Sequence, residues 1–220
     1  MNYYKNILKG VIFDLDGVIT DTAKYHYVAW KRLADEEGIE FNKNINEKLK
    51  GISRMESLDI ILQNSNKIYS QDEKISLARK KNNMYVTLLK QLKPTDILPG
   101  ITAFLDELRH DNKKIALGSA SKNAPIILKH LNIEHLFDVV ICGLDIKKSK
   151  PDPEVFLLGA KRLGLTPEEC LVIEDAASGI EAALNANMKS IGIGNQDLKK
   201  ATILISHTLQ LNTLLLKKIK

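Results

Sequence analysis

The sequence predicts an α/β fold in which a Rossmann-like core with a parallel sheet carries an inserted helical cap domain. From residue 95 onward, short apolar runs alternate with helical patterns, which is typical of a parallel sheet covered by helices. One further run, "VIF" at 11–13, stands alone near the start, ahead of a long stretch with helical periodicity only. This run most simply belongs to the later sheet. We therefore expect a core of residues 1–21 and 95–220 and a cap of residues 22–94.

The insertion shows apolar residues at helical spacing in three successive segments, ended by the punctuation of Pro94, Pro99 and Gly100. The predicted apolar faces are Ala23, Tyr27, Trp30 and Ala34 in the first helix, Met55, Leu58 and Leu62 in the second, and Ile75, Ala78, Tyr85, Leu88 and Leu92 in the third. Gly38 is a plausible end for the first helix.

The later half supplies the remaining strands of the predicted sheet. They are "KIALG", "FDVVICG", "ECLVIED" and "KSIGIG", followed by the weaker "TILIS". Each run is short, rich in β-branched residues and followed by turn or helix signals. The last segment, "LNTLLLKKIK", predicts a terminal helix with a basic end.

The composition is that of an ordinary globular protein. Of 220 residues, 44% are apolar and 27% are charged. The net charge of +5 raises the question of a nucleic-acid partner, but lysines are spread along the chain among 27 acidic residues, and aromatics make up only 5%. Nucleic acid is therefore not expected as a partner. A polyanion-binding module stays as an alternative of another class, with salt-dependent binding and no turnover.

The opening "MNYYKNILKG" lacks the long apolar core of a signal peptide, and no apolar run approaches the ~20 residues of a membrane span. A cytoplasmic protein without a membrane partner is the expectation, and we expect a monomer. Cys142 and Cys170 lie in strand-like runs, which favours buried free thiols over a disulfide or metal pair.

Two aspartates follow the first strand in "VIFDLDG". Asp14 and Asp16, two apart in an extended segment, point to the same side, where each raises the cost of ionising the other unless a cation intervenes. Glu174 and Asp175 follow another strand, "CLVI". Ligands of open α/β sheets bind beyond the carboxyl ends of the strands, and carboxylate oxygens suit Mg²⁺. The sequence thus predicts a Mg²⁺ site on these four acidic residues, with Asp14, Asp175 and a carbonyl near Asp16 as its centre.

Two more strand ends carry groups suited to phosphate. Ser119 follows "KIALG" and opens a helix whose free amides, with Lys122, make a ready anion site. Lys150 precedes a proline that can start a helix. Each feature alone has a simpler reading, since paired aspartates are common in turns, Ser119 could be only a helix cap and Lys150 only a surface lysine. The ordered set, each member just after a predicted strand, favours a phosphate site.

The motifs "DLDG", "ALGSAS", "SKPDP" and "VIEDAASG" resemble, in order, the four motifs of the haloacid dehalogenase superfamily. The helical insertion falls where that superfamily places its mobile cap. The resemblance implies an α/β core, Mg²⁺ dependence and an aspartyl-phosphate intermediate. By the same resemblance Asp14 is the nucleophile and Asp16 the general acid and base, while Ser119 and Lys150 stabilise the transferring group.

Two activities within this superfamily remain open, a phosphatase and a sugar-phosphate mutase. Many phosphatases read "DGTLVDS" at the first motif, whereas this chain reads "DGVITDTAKYHYVAWK". This stretch, with "LKGISRMESL" and "GSASKN", is similar to the mutases that interconvert β-glucose 1-phosphate and glucose 6-phosphate through the 1,6-bisphosphate. The resemblance implies a mutase, and a Mg²⁺-dependent sugar-phosphate phosphatase is the alternative.

A mutase needs a second phosphate grip, because the bisphosphate must present either end to Asp14. Arg54 of the cap suits a dianion well. It is predicted to act with the core residues Ala120, Ser121, Lys122 and Asn123. By resemblance, the residues that face the sugar from the cap are His26, Trp30, Lys50, Gly51 and Lys81, with Thr22 at the hinge.

Some of these residues could equally have a purely structural role. His26 could be a satisfied helix histidine, Trp30 lies on an apolar stripe where packing is as reasonable as substrate contact, and Arg54 could be an ordinary helix-start arginine. Gly118 stands where alanine is expected in the mutase pattern, a change predicted to loosen packing without touching chemistry. The remaining histidines match no motif and are assigned structural roles: His110, His130, His135 and His207.

Overall fold

The fold is built on one sheet of six parallel strands. The computed structural model describes residues 8–49, 52–194 and 198–219. The strands lie in the order β3-β2-β1-β4-β5-β6, so the first strand is central. Every run predicted as a strand is a strand, and the predicted parallel α/β core is confirmed. The strands are β1 (Gly10–Phe13), β2 (Lys114–Gly118), β3 (Val139–Ile141), β4 (Cys170–Glu174), β5 (Lys189–Ile193) and β6 (Ile203–Ile205).

Five helices lie between β1 and β2 in the part of the chain that the structure describes; the first four belong to the insertion, and the other helices cover the sheet. The helices are α1 (Ala23–Glu36), α2 (Lys43–Glu47), α3 (Arg54–Leu62), α4 (Gln71–Leu89), α5 (Ile101–His110), α6 (Ala124–His130), α7 (Glu154–Leu163), α8 (Ala177–Asn185) and α9 (Thr213–Leu216). The short α2 lies in a stretch where no helix was predicted. It begins because the Asn42 side chain accepts a hydrogen bond from the amide of Ile45. Among the helices of the described residues, none is long and apolar enough to cross a membrane.

Both faces of the sheet are buried, which explains why β1 reads as an unbroken apolar run. Val11 and Phe13 pack into the larger apolar cluster on one face, and Ile12 packs with Ala116 and Val172 on the other. Helices on each side exclude water from the strand. The alternation of side chains along the strand thus joins the two halves of the core at β1.

The inserted helices have an apolar cluster of their own, which includes Trp30, Leu58 and Leu77. At the base of the insertion, Tyr25 and Tyr85 belong instead to the larger cluster of the sheet. The start of α1 and the last turns of α4 therefore pack onto the core. The outer part of the cap has a separate apolar cluster. The division into a core of 1–21 and 95–220 and a cap of 22–94 stays a proposal.

One predicted face of the cap is wrong in detail. Ile75 is 43% exposed, although the sequence predicts it on the apolar face of its helix. The buried face of α4 does not include Ile75, because the apolar residues of this helix face α1 and the base of the cap. The residues that α4 buries are Leu77, Ala78, Lys81, Tyr85 and Leu89.

Strand pairing continues just past the strand ends and thereby fixes the first residues of the loops. The amide of Asp14 donates to the carbonyl of Ile173 at 2.9 Å, and the amide of Ser119 donates to the carbonyl of Ile141 at 3.0 Å. Asp14 and Ser119 are thus held by backbone bonds at the carboxyl edge of the sheet. A cavity lies between this edge and the cap helices.

Candidate active site

The cavity between core and cap has a volume of about 1100 Å³ and gathers most of the predicted site residues. The predicted residues that line it are Asp14, Asp16, Ser119, Ala120, Ser121, Lys122, Asn123, Glu174 and Asp175 from the core, and His26, Trp30, Arg54 and Lys81 from the cap. Thr22 and Lys150 are buried just behind its wall. Lys50 and Gly51 lie outside the described residues, so their predicted role stays a prediction.

A buried lysine sits between two carboxylates at the floor of the cavity. Lys150 is 1% exposed, and its Nζ donates to Asp14 Oδ1 and, at 2.6 Å, to Glu174 Oε1. One ammonium group balances only one of two negative charges. Burial, and then the Glu174 charge, raise the pKa of Asp14 to about 7 against the opposing effect of Lys150. Burial alone would lower the pKa of Lys150, but the two carboxylates raise it, so the lysine stays charged.

Glu174 is held in place by the backbone of its own loop. Its Oε2 accepts hydrogen bonds from the amides of Asp175 and Ala176, both at 2.7 Å. A Cβ added at Gly179, in the first turn of α8, would fall on the Glu174 carboxylate. The glycine of "AASG" therefore lets the carboxylate lie against the helix. With Oε1 on Lys150, Glu174 chiefly fixes the position of the lysine.

Three carboxylates meet where a metal ion could be held. One oxygen each of Asp14, Glu174 and Asp175 lies within 4.8 Å of the others. Gly17, with φ of +78°, comes so close that a Cβ there would meet the Asp175 carboxylate. An all-oxygen set of this kind fits a hard divalent cation. Among the described residues, the Asp16 carboxylate is not part of this group, so only its main-chain carbonyl remains as the predicted contribution of Asp16.

The Asp16 carboxylate is bonded toward the cap instead. Its Oδ1 accepts a hydrogen bond from the hydroxyl of Thr22, and that hydroxyl lies 2.9 Å from the hydroxyl of Tyr85 on α4. Burial raises the pKa of Asp16, and the bond from Thr22 opposes this rise. The Asp16 carboxyl group lines the cavity and has a raised pKa, and both properties suit proton transfer.

The cap contributes a cluster of basic groups to the opposite wall. Lys81 is 2% exposed, with Nζ 2.8 Å from His26 Nδ1 and 4.4 Å from the centre of the Trp30 ring. Burial, followed by the positive charges of Lys81 and Arg54, lowers the pKa of His26. Burial and then Arg54 lower the pKa of Lys81. Trp30 packs in the cap cluster and also lines the cavity, so its packing role is confirmed and its contact with a substrate stays a prediction.

The loop after β2 is a turn held by hydrogen bonds from backbone amides to serine hydroxyls, and its predicted role in anion binding stays a prediction. Ser119 Oγ accepts from the amide of Ser121 at 3.1 Å, and Ser121 Oγ accepts from the amide of Asn123 at 3.2 Å. A Cβ at Gly118 would come within 3.1 Å of both Ile12 and Phe156. The expectation that glycine loosens the packing at this position is therefore wrong, since no gap is left.

Sequence reasoning missed Asn82, which joins the cap to the predicted site residue Asn123 of the core. Asn123 Nδ2 donates to Asn82 Oδ1 at 2.9 Å, which links the loop after β2 to α4 of the cap. Tyr85 was predicted as a core residue only, yet its hydroxyl reaches Thr22. The sequence signal available for Asn82 was its polar side chain directly after Lys81.

A parallel sheet with an aspartate nucleophile candidate after its central strand, a buried lysine and an acidic pair defines a class of phosphoryl-transfer enzymes. The chain matches the family of haloacid dehalogenase-like hydrolases over residues 11–193. It belongs to this family, and the predicted membership of the superfamily is confirmed.

Individual relatives narrow the comparison. The β-phosphoglucomutase of Bacillus subtilis (strain 168) is 44% identical over 212 residues, covering 95% of this chain and 94% of that one. The crystal structure of a β-phosphoglucomutase from Clostridium difficile superimposes with a TM-score of 0.93 at 49% identity, covering 96% of each chain. A phosphorylated-carbohydrates phosphatase of Thermotoga maritima is 31% identical over 187 residues, with 84% of each chain covered.

Proposed function

We propose that this enzyme has β-phosphoglucomutase activity, interconverting β-glucose 1-phosphate and glucose 6-phosphate through the 1,6-bisphosphate. The observation that carries the proposal is that one cavity is lined by two sets of anion-binding groups. The first set is Asp14, which is bonded to the buried Lys150, together with the Ser119 turn. The second set is Arg54 of the cap and Lys122 of the core, which both line the cavity and could hold the second phosphate of a bisphosphate. The 44% and 49% identical β-phosphoglucomutases, similar over nearly the whole chain, support the same activity.

In the proposed cycle, phospho-Asp14 donates its phosphoryl group to the 6-hydroxyl of β-glucose 1-phosphate while Asp16 removes the hydroxyl proton. The bisphosphate then turns round within the cavity. Asp14 attacks the phosphorus at C1, the bond from phosphorus to the sugar oxygen breaks, and Asp16 returns the proton to that oxygen. The products are glucose 6-phosphate and phospho-Asp14, so the enzyme is ready for the next sugar.

The buried charges around Asp14 support this chemistry. Lys150 lies on Asp14 Oδ1 and offers positive charge beside the atom that forms the new bond. Glu174 holds the ammonium group, which keeps Lys150 from moving with each transfer. We propose that Mg²⁺ is held by Asp14, Asp175 and the carbonyl of Asp16, with Glu174 beside it. When bound there, it would neutralise charge on the transferring phosphoryl group.

Water must be kept from phospho-Asp14, or the enzyme would release phosphate. The hydrogen bond between Asn123 and Asn82 ties the core to the cap on the rim of the cavity. This bond can help to exclude water while a sugar phosphate is bound. It supports a mutase because a hydrolase has no need to exclude water.

The second candidate is a sugar-phosphate phosphatase. The 31% identical phosphatase of Thermotoga maritima, which covers 84% of this chain, favours it. The same Asp14 and Asp16 would serve, with water in place of the sugar hydroxyl. The two functions differ in what leaves the active site.

One experiment separates them. The purified protein is incubated with Mg²⁺, β-glucose 1-phosphate and a trace of the 1,6-bisphosphate, and glucose 6-phosphate and inorganic phosphate are measured in the same sample. Formation of glucose 6-phosphate without matching phosphate release is the result expected. Release of phosphate without glucose 6-phosphate would make the enzyme a phosphatase. Omission of Mg²⁺ with a chelator present is expected to stop both products. The cytoplasmic location, the monomeric state and the absence of a nucleic-acid partner stay predictions.

A further inference from the structure

Lys150 lies on a loop that contains no helix or strand. The loop covers residues 142–153, between the end of β3 and the start of α7. Its lysine nevertheless has a fixed place, because the buried ammonium group contacts both Asp14 and Glu174. A loop has no backbone ladder of its own, so other groups must hold its amides and carbonyls. The groups that hold this loop therefore decide how well Lys150 is placed.

Glu154, the first residue of α7, holds the backbone just ahead of Lys150. Its Oε2 accepts hydrogen bonds from the amides of Lys147 and Lys148, at 2.9 and 2.8 Å. Hydrogen bonds to an ionised carboxylate are stronger than those between neutral groups. Two residues further along the helix, the centre of the Phe156 ring lies 4.8 Å from Lys150 Nζ. The start of α7 thus both holds the chain that leads to the lysine and flanks its ammonium group.

The rest of the loop is held by contacts on either side of this segment. Near its beginning, Arg162 of α7 donates to Asp145 Oδ1 at 2.7 Å. Just after the lysine, Asn185 of α8 donates to the carbonyl of Pro151 at 3.0 Å. Because these two contacts lie outside the segment directly ahead of the lysine, the backbone there is held by Glu154.

We propose that Glu154 is a positioning residue for phosphoryl transfer, which fixes the backbone from which Lys150 reaches Asp14. Glu154 is not one of the described residues that line the cavity, and it contacts no reacting atom. During transfer, Asp14 gives its charge to the new bond with phosphorus, so Glu174 and the loop must keep the ammonium group in place. The proposal rests on the phosphoryl transfer of the proposed function, whichever acceptor takes the phosphoryl group.

The test compares Glu154→Ala with Glu154→Gln, with kcat and KM measured for β-glucose 1-phosphate. Alanine removes both hydrogen bonds. We expect kcat to fall roughly 5- to 20-fold with KM within about twofold of the wild type, because Lys150 acts on the group in transfer. Glutamine keeps a side-chain oxygen that can accept from the same two amides, so its kcat should stay within about threefold of the wild type.

A second variant covers the case in which Glu154→Ala is too unstable to assay. Glu154→Ser keeps a polar residue at the start of α7 but is too short to reach the two amides. Its kcat should fall as in the alanine variant. Circular dichroism and urea unfolding establish that each variant is folded under the assay conditions. A purely structural role would lower stability in these variants without separating kcat from KM.

Glu169→Ala is the matched control. Glu169 also holds a loop, since its Oε2 accepts from the amide of Thr166 at 3.0 Å, and its Oε1 pairs with Lys9. This loop leads into the start of β4, at the edge of the sheet opposite the cavity. Glu169→Ala should therefore lower the free energy of unfolding and leave kcat equal to that of the wild type.

Two results would overturn the proposal. One is an unchanged kcat in folded Glu154→Ala or Glu154→Ser, and the other is an equal fall of kcat in Glu154→Gln. If the wild-type enzyme releases phosphate instead of glucose 6-phosphate, the same variants are scored on phosphate release. Failure of the mutase assignment is then seen in the wild type, separately from the role of Glu154.

Discussion

Asp14 and Glu174 share the single ammonium group of Lys150. The resulting excess of one negative charge defines the chemistry of the site. A buried pair of carboxylates beside one cation carries an excess negative charge, which favours either a proton or a second cation. The acidic group of Asp14, Glu174 and Asp175 is placed to receive that cation. The same residues therefore explain the raised pKa of Asp14 and the proposed requirement for Mg²⁺.

Asp14→Asn is expected to abolish turnover while the protein stays folded. The amide keeps the size of the side chain but is no nucleophile, and Lys150 retains its bond to Glu174. We expect kcat to fall at least ~10³-fold with a circular dichroism spectrum like that of the wild type. The exposed Asp35, paired with Lys31 on α1, offers the same substitution as a control with full activity. Substantial turnover by Asp14→Asn would remove Asp14 as the nucleophile.

The stability of the metal-free protein should fall as pH rises through the titration of Asp14. Its pKa is raised from 3.8 to about 7 in the folded state, so between these values the folded protein holds a proton that the unfolded chain has lost. The free energy of unfolding contributed by this group is therefore highest below pH ~4 and lost by about pH 7. Urea unfolding with a chelator should show this slope in the wild type and not in Asp14→Asn. Identical pH dependence in the two proteins would contradict it.

Among the elements, strands were predictable because each is an apolar run bounded by turn residues. The loops after them were predictable as well, since residue type and strand position together indicate a phosphate site. Sequence could not place α2, which depends on one side-chain cap at Asn42, or the exposure of Ile75, which depends on how α4 is rotated. The direction of the Asp16 carboxylate was also beyond reach, because it is set by Thr22 and Tyr85 from distant elements.

The start of α4 gives a prediction at the scale of one helix. Ser70 and Glu73 form a capping box, in which Ser70 Oγ accepts from the amide of Glu73 and Glu73 accepts from the amide of Ser70. Ser70→Ala should lower the free energy of unfolding by about 1 kcal/mol and leave kcat unchanged. Ser76→Ala, an exposed substitution within the same helix, should be neutral or slightly stabilising. Equal effects of the two substitutions in thermal melts would argue against the cap.

Glu73 makes the same capping box dependent on pH. Backbone hydrogen bonds at Ser70, then Lys67 nearby, lower the pKa of Glu73 to about 2. The stabilisation of the helix start is therefore present above the ordinary glutamate pKa and lost as pH falls toward 2. The penalty of Ser70→Ala should accordingly shrink in acid.

At the scale of the molecule, contacts between the cap and the core close the cavity. The cap and the core each have an apolar cluster of their own. Asn82→Ala removes the bond to Asn123 and should let water reach phospho-Asp14 more often. We expect the ratio of phosphate released to glucose 6-phosphate formed to rise by about 2- to 10-fold, the worth of one hydrogen bond. Asn83→Ala, on the neighbouring exposed residue, should leave the ratio unchanged. An unaltered ratio in Asn82→Ala would remove this bond from the closure of the cap.

The central place of β1 in the sheet also decides when the site can form. Its register pairs Gly10 with Lys114 on one side and with Cys170 on the other, so both neighbours arrive roughly 100 residues or more later in the chain. A ribosome adding about 5–20 residues per second completes the cap helices, whose contacts are mostly local, well before it completes β2 and β4. The strand that carries Asp14 is thus among the first segments synthesised and among the last enclosed.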